Sequence, residues 1–496
     1  MGLDLGTTTA KALAYDEQSR VWADVSSEYP LHTLQPGYAE QDPDTVCDAA
    51  LGVLALAVGQ ARSAGASVDG VALSAAMHSL LALDGRGAPL TPALTYSDSR
   101  AAAWASRLRG DPVAIKVGRR TGTPLHPMSP LTKLLWFREH DRDTFDRAVS
   151  WVSIKELLLR RLCGEAVVDA SIASASGLFN LRERGWDAGA LRLAGVDAGQ
   201  LSRPVATTTV LVGLDPLEAR RRNLPADLRV VVGAADGCLA NLGVGATDNR
   251  IAACTIGTSG AVRVATTTPD TDPHGRLFTY ALTDDRWIVG GPISNGGLVL
   301  RWLRDSVLTD LAETARDAGD DPYQRMTALA ADVPAGSEGL LFLPYLTGER
   351  APDWNASAKG ALLGLTLRHG RGHLIRSAME GVLLQLRAVV EAMGALDISP
   401  SAFRATGGFT KSPLWLQMMA DVFRREIEVP DRAEGTALGA ALLGMVALGT
   451  FADIDEAAAT VTVRDRRRPD PLAAEIYDAV FDAFRACSAT AGLPHG

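Results

Sequence analysis

The sequence predicts an α/β protein made of two related halves. Three observations carry that expectation. A strand–turn–strand unit opens the chain around Asp4-Leu5-Gly6-Thr7-Thr8-Thr9, and the same pattern returns at Ile256-Gly257-Thr258-Ser259-Gly260. Between and after these units, apolar strand-like runs alternate with stretches of helical periodicity. At 496 residues the chain has room for two or more domains. The echo puts the boundary between Gly243 and Arg250, giving an N-terminal domain over 1–245 and a C-terminal domain over 246–496.

Composition narrows the class. Apolar residues make up 47% and charged residues 22%, as in ordinary globular proteins. A net charge of −9 argues against nucleic acid as a partner. The five cysteines are scattered with no C-x-x-C pair, which speaks against zinc or a disulfide framework and suits a reducing cytosol. No basic, apolar leader precedes the first strand, so a cytoplasmic location is expected. The longest uncharged stretch, from Gly435 to Ala452, is dominated by Ala and Gly. It predicts a buried helix rather than a membrane span.

In the opening unit, Gly6 permits a sharp turn and close backbone approach. Thr7, Thr8 and Thr9 offer hydroxyls and N–H groups, and Lys11 offers a positive charge. Together they suit phosphate oxygens, with Asp4 facing a phosphate-bound magnesium ion. An ordinary hairpin with a polar turn reads equally well from this stretch alone. Strand Val21 to Tyr29 follows. A helix then begins at Asp42-Pro43, with Val46, Ala50, Val53, Leu54 and Ala57 on its buried side. Apolar Val68 to Leu73 runs into Ser74-Ala-Ala-Met77-His78-Ser79, a polar interruption of the kind found at a sheet's mouth. His78 reads as a structural histidine or a ligand contact. Tyr96-Ser97-Asp98-Ser99-Arg100 precedes an Ala-rich helix that Asp98 or Ser99 caps. Pro124, Pro127 and Pro130 stiffen a loop through His126 and Met128, which lines a pocket or serves as a packed connector.

Arg229 to Val232 is a buried strand ending in Gly233-Ala-Ala-Asp236-Gly237. An acid at a strand's carboxyl end is placed to act on a ligand, and equally to cap the next helix. In the second half, Asn295-Gly296-Gly297 opens a helix whose start suits an anion. Gly407-Gly408 leaves space for a flat base or ribose, with Ser412 at the next helix start. The basic run Arg464 to Arg468 reads as a solvated surface, and a last helix starts at Pro471.

The set Asp4-x-Gly6-Thr7-Thr8, Asp236-Gly237, Gly257-Thr258-Ser259 and Gly407-Gly408 resembles the ATPase core shared by actin, hexokinase-type sugar kinases and the Hsp70 chaperones. Met128 to His140, and Gly360 to Leu365 followed by His373 to Glu380, look like the two signatures of the FGGY carbohydrate kinases. Within that family the likeness is greatest to the bacterial gluconokinases, through Ser74 to Leu80, Arg120 to Pro130, Gly348 to Pro352 and Ala405 to Phe409. Met77-His78 is shared with xylulokinases. Ser97-Asp98-Ser99-Arg100 departs from the family, where Asn or a charged residue is common before the Arg.

This resemblance implies two ribonuclease-H-like domains facing across a cleft that closes on its sugar. It implies ATP-dependent phosphorylation of D-gluconate to 6-phosphogluconate with Mg2+. Asp236 is then the catalytic base and Asp4 the metal-side acid. Gly6, Thr7, Thr8, Thr9, Lys11, Gly257 and Thr258 meet phosphates. Gly297, Gly407, Gly408 and Ser412 meet the nucleotide, while Met77, His78, Asp98, Arg100 and Met128 wall the sugar. Arg100 and His126 are the candidates to pair with a gluconate carboxylate. The alternatives are a xylulose, other pentulose or polyol kinase, and outside that class a non-catalytic sugar sensor or an actin/Hsp70-like ATPase. The expected partner is a small sugar or sugar acid, without a membrane, and a homodimer is compatible with the chain.

Overall fold

A computed structural model describes residues 1–432 and 435–491. The chain forms two compact units. The first comprises Met1–Asp248, Ala265–Val289 and Glu434–Val461; the second comprises Asn249–Val264, Gly290–Ala433 and Thr462–Gly496.

The first unit is built on a mixed six-stranded sheet, in the order Val210–Val212, Arg229–Ala235, Gly70–Ala75, Gly2–Leu5, Thr9–Tyr15, Val21–Glu28. The three central strands Arg229–Ala235, Gly70–Ala75 and Gly2–Leu5 run parallel, and the outer pairings are antiparallel. Leu5 lies opposite Ala75, and Ala75 opposite Ala235. All three strands therefore end level, and Gly6, Ala76 and Asp236 all follow at one carboxyl edge, where open α/β sheets bind ligands.

Helix Pro43–Ser63 is capped by the Asp42 carboxylate, which accepts from Thr45 N. By length and composition it could cross a membrane. Its Val46, Ala50, Leu54 and Ala57 are instead packed with Leu3, Leu5 and Leu73 in the core. The Ala/Gly-rich stretch forms helix Gly435–Ala447, also in the first unit. Its composition follows from close approach. A Cβ on Gly2 would lie 2.1 Å from the Ala437 carbonyl oxygen, and one on Gly439 would lie 2.0 Å from that of Leu239. Small residues let helix Asp236–Gly243 and the first strand pack backbone to backbone on this helix.

In the second unit, Ile251–Ile256 pairs antiparallel with Gly260–Thr266 and parallel with Ala402–Thr406, which continues to Glu426–Pro430 and Val463–Arg467. The arrangement repeats the first unit's: a hairpin whose first strand has a parallel neighbour on its other side. The basic run is solvent-exposed as expected, with the Arg466 side chain 60% and the Arg468 side chain 86% exposed. It is strand Val463–Arg467, and Arg466 Nε lies 3.2 Å from Glu428 Oε1 on the neighbouring strand. Ladder pairing plus cross-strand ion pairs made it an edge rather than a loop.

Candidate active site

The carboxyl edge of the first sheet carries Asp4, the Gly6 turn and Asp236. Asp4 pairs across the ladder with Lys11 on one side and Ser74 on the other. Ser74 Oγ donates to Asp4 Oδ1 at 2.6 Å. Burial pushes the Asp4 carboxyl above its ordinary range, opposed by the Ser74 hydrogen bond and the charges of Lys11 and Lys155. Lys11 Nζ itself lies 3.7 Å from Asp24 Oδ1. The turn after Asp4 is braced from below: Gly6 N donates to Thr9 O at 3.0 Å, Tyr29 OH to Gly6 O at 2.6 Å and Gln41 Nε2 to Thr7 O at 2.7 Å. Tyr29 and Gln41 were not singled out in the sequence, where nothing local marks them as partners of the turn. Asp236 begins helix Asp236–Gly243, and its Oδ1 accepts from Gly237 N at 2.6 Å.

The sugar-wall candidates are held in a dense polar network. Arg100 Nη2 donates to Asp98 Oδ2 at 2.7 Å and to Glu40 Oε1 at 2.5 Å. Its guanidinium lies 3.7 Å from the Tyr38 ring centroid, a cation–π contact. Asp98 also accepts from Ala39 N at 2.9 Å. Arg100 is thus engaged with two carboxylates, one of them sixty residues away in sequence and invisible to local pattern. His78, at φ +70°, donates from Nδ1 to Ala175 O at 2.8 Å and packs edge-on against Tyr280. Lys133 Nζ ties the wall together, donating to His78 O at 2.7 Å and Thr95 O at 2.6 Å. Its burial pushes the ammonium down to about 7. Met77 packs partly buried against the core, while Met128 is 1% exposed. Met128 N donates to His126 Nδ1 at 3.3 Å.

The second unit holds a cavity of about 760 Å³, well within the size range of small-molecule sites. Gly257, Thr258, Gly297, Gly408 and Ser412 all line it, with Tyr323 and Leu414. Gly407 sits at φ +107°, and a Cβ there would meet the Ile256 carbonyl oxygen at 2.2 Å. Only glycine lets this strand end pass so close to the Gly257 turn. Ser412 Oγ accepts from Trp415 N at 3.3 Å and caps helix Pro413–Phe423. The Asn295-Gly296-Gly297 start differs from the open anion site expected of it. Gly297 N donates to Gly257 O at 2.7 Å and Gly296 N to Thr258 O at 3.1 Å. These donors brace the second turn. The two hairpins also correspond in detail: where the first unit has Asp4 and Ser74, the second has Thr255 and Thr406, with hydroxyls 3.0 Å apart.

Two Gly-Thr turns stand out, one following Asp4 in the first unit and one lining the cavity of the second. Residues 1–243 match the N-terminal domain of the FGGY family of carbohydrate kinases, and residues 252–448 match its C-terminal domain. The chain belongs to this family. It is 40% identical to the gluconokinase of Bacillus subtilis (strain 168), over 98% of this chain and 94% of that one. It is 26% identical to the xylulose kinase of the same organism, over 98% and 95%. A gluconate kinase structure from Lactobacillus acidophilus matches with a TM-score of 0.93 at 32% identity, covering 100% of this chain and 98% of that one. A ligand-bound xylulose kinase from the same species matches at 0.92 and 32%, with the same coverage.

As an FGGY kinase, the chain is a phosphotransferase that uses ATP and a carbohydrate hydroxyl as acceptor. Behind its second turn, buried Glu349 accepts from Ser294 N at 2.5 Å and from Arg350 N at 2.8 Å. Burial pushes its carboxyl from the ordinary 4.5 up to about 7. Between those values the folded kinase holds a proton that the unfolded chain has released, so stability falls as pH rises through this window. Glu349→Gln is therefore expected to flatten the decline in unfolding midpoint between about pH 5 and pH 7.5. An unchanged slope in urea titrations would reject the assignment.

Proposed function

We propose that this FGGY kinase transfers the γ-phosphoryl group of ATP to the terminal hydroxyl of D-gluconate, giving 6-phosphogluconate. The observation that carries the choice of sugar is the higher identity, over nearly the whole chain, to a gluconokinase than to a xylulose kinase. The sugar-side wall is assigned to Met77, His78, Asp98, Arg100 and Met128. Arg100, engaged with Asp98 and Glu40, holds the Asp98 carboxylate in place rather than meeting a substrate carboxylate alone.

Asp236 orients the acceptor hydroxyl and takes its proton as the bond to phosphorus forms. A loose phosphoryl-transfer transition state asks chiefly for positioning and charge stabilisation. The backbones of Gly6 to Thr9 and of Gly257 and Thr258 hold phosphate oxygens, and Lys11 offsets negative charge. Gly297, Gly407, Gly408 and Ser412 hold the nucleotide. The first compact unit, which takes in the expected domain 1–245 together with 265–289 and 434–461, carries the sugar side, and the second unit, drawn from the remainder of 246–496, carries the nucleotide side.

Among the described residues no group of three or more His, Cys, Asp or Glu is arranged to hold a metal ion. The half-buried Asp4, a single carboxylate held by Ser74, suits Mg2+, which keeps its waters and binds through one or two carboxylates plus substrate phosphates. Bound there with the nucleotide, it would neutralise phosphate charge.

An acceptor panel tests the proposal. In a coupled ADP assay, gluconate is expected to give the highest kcat/KM among gluconate, xylulose, ribulose and glycerol. A higher value for xylulose would replace the substrate while leaving the kinase chemistry in place. ATP turnover independent of any sugar would reject the acceptor reading altogether.

A further inference from the structure

Beneath the carboxyl edge of the first sheet lies an ion pair for which the reaction has so far found no use. Lys155 and Asp169 are each 1% exposed, and Lys155 Nζ lies 2.8 Å from Asp169 Oδ2. Desolvation works against such a pair, and a well-packed apolar pair is often as stable. Its other contacts explain its presence, because they converge on one strand end.

Strand Arg229–Ala235 runs parallel to Gly70–Ala75, but its register breaks between Val231 and Ala234. Gly233, at φ +75°, sits in the break. A bulge of this kind re-aims the chain and frees main-chain groups from the ladder. Two groups beyond it are taken by side chains. Lys155 Nζ donates to Ala234 O at 3.1 Å. Ala235 N donates to Ser171 Oγ at 3.2 Å. Asp169 serves both: Oδ2 binds the ammonium, and Oδ1 accepts from Ile172 N at 2.8 Å, capping the helix Ala170–Ser174 that presents Ser171. The next residue along the strand is Asp236.

We propose that Lys155, Asp169 and Ser171 are positioning residues, a clamp on the main chain of Ala234 and Ala235 that aims the Asp236 carboxylate at the acceptor hydroxyl. The proposal rests on Asp236 being the proton acceptor. The Lys155 charge also reaches Asp4, whose carboxyl it draws down. One buried ammonium thereby serves both acids of the edge. Rate depends steeply on such aim, since a misplacement of about 1 Å can cost ~10²-fold.

Ser171→Ala removes one jaw without stranding a charge, and Lys155→Met removes the other. Each is expected to lower kcat by at least ~10-fold with KM for ATP and sugar changed less than about 3-fold. Ser174→Ala is the matched control. Ser174 is equally buried on the same helix, but its Oγ donates to Ser171 O at 2.8 Å within the helix and accepts from Ala281 N at 3.0 Å, rather than holding the Ala234–Ala235 main chain. It should show a comparable change in thermal midpoint with kcat retained. In an Asp236→Asn background, Ser171→Ala should cost less than about 2-fold more, because both act through one group. Losses that multiply in the double variant, or equal kcat losses in Ser171→Ala and Ser174→Ala, would overturn the clamp while leaving Asp236 as base. A near-wild-type Asp236→Asn would overturn both. Should Lys155→Met not fold, Ser171→Ala decides alone.

Discussion

Asp236→Asn is expected to lower kcat for gluconate phosphorylation by ~10²–10⁴-fold, the usual contribution of a positioned general base. The substitution is close to isosteric. The Asp236 Oδ1 that accepts from Gly237 N at 2.6 Å is retained as an amide oxygen, so that contact survives. Unfolding midpoints should therefore match the wild type. KM for ATP and for gluconate should move only a few-fold, because the proton is transferred in the transition state rather than in the ground-state complex. Gluconate-dependent ADP release near the wild-type rate would remove Asp236 from the chemistry.

Gly233→Ala should give the largest loss of stability. At φ +75° an L-residue costs about 1–2 kcal/mol. The added Cβ would also stand 1.7 Å from the Leu73 carbonyl oxygen of the neighbouring parallel strand. No rotamer relieves that clash, so the two strands must part, at a further cost of about 1–3 kcal/mol. A total of about 2–5 kcal/mol is expected as a lowered urea midpoint, with activity lost alongside. Gly52→Ala is the counterpart: inside helix Pro43–Ser63, its Cβ would meet nothing within 4 Å. It should raise stability by about 0.5–1 kcal/mol. Equal midpoints for the two variants would refute the steric argument.

Much of the candidate site's local geometry is legible in sequence because its signals are local. A glycine, a hydroxyl run and flanking alternation mark each Gly-Thr turn within ten residues, and an acid after a buried strand marks Asp236. The alternating strands and helices likewise follow from period and caps, as with Asp42-Pro43 and Ser412-Pro413. What stayed hidden depends on partners far along the chain. Arg100 looks like a free cation until Glu40 and Tyr38 are folded against it. Gly296 and Gly297 look like an anion cradle until their N–H groups are spent on Gly257 and Thr258. Arg466 is solvated as its sequence suggests, but its ion pair with Glu428 on the neighbouring strand has no local signal. The Lys155 and Asp169 pair has no local signature at all, since both fall in ordinary amphipathic sequence.

Helix Gly435–Ala447 has a consequence for how the protein is made. It packs on Gly2 and Leu239 in the first unit, yet it lies almost two hundred residues beyond Asp248. The first sheet is made well before this helix and must keep its Gly2 and Leu239 surface uncovered until the helix follows. Such distant contacts slow folding and leave apolar surface open in the interval. A nascent chain stalled before residue 435 should accordingly hold a protease-sensitive first sheet, and extension past residue 447 should protect it.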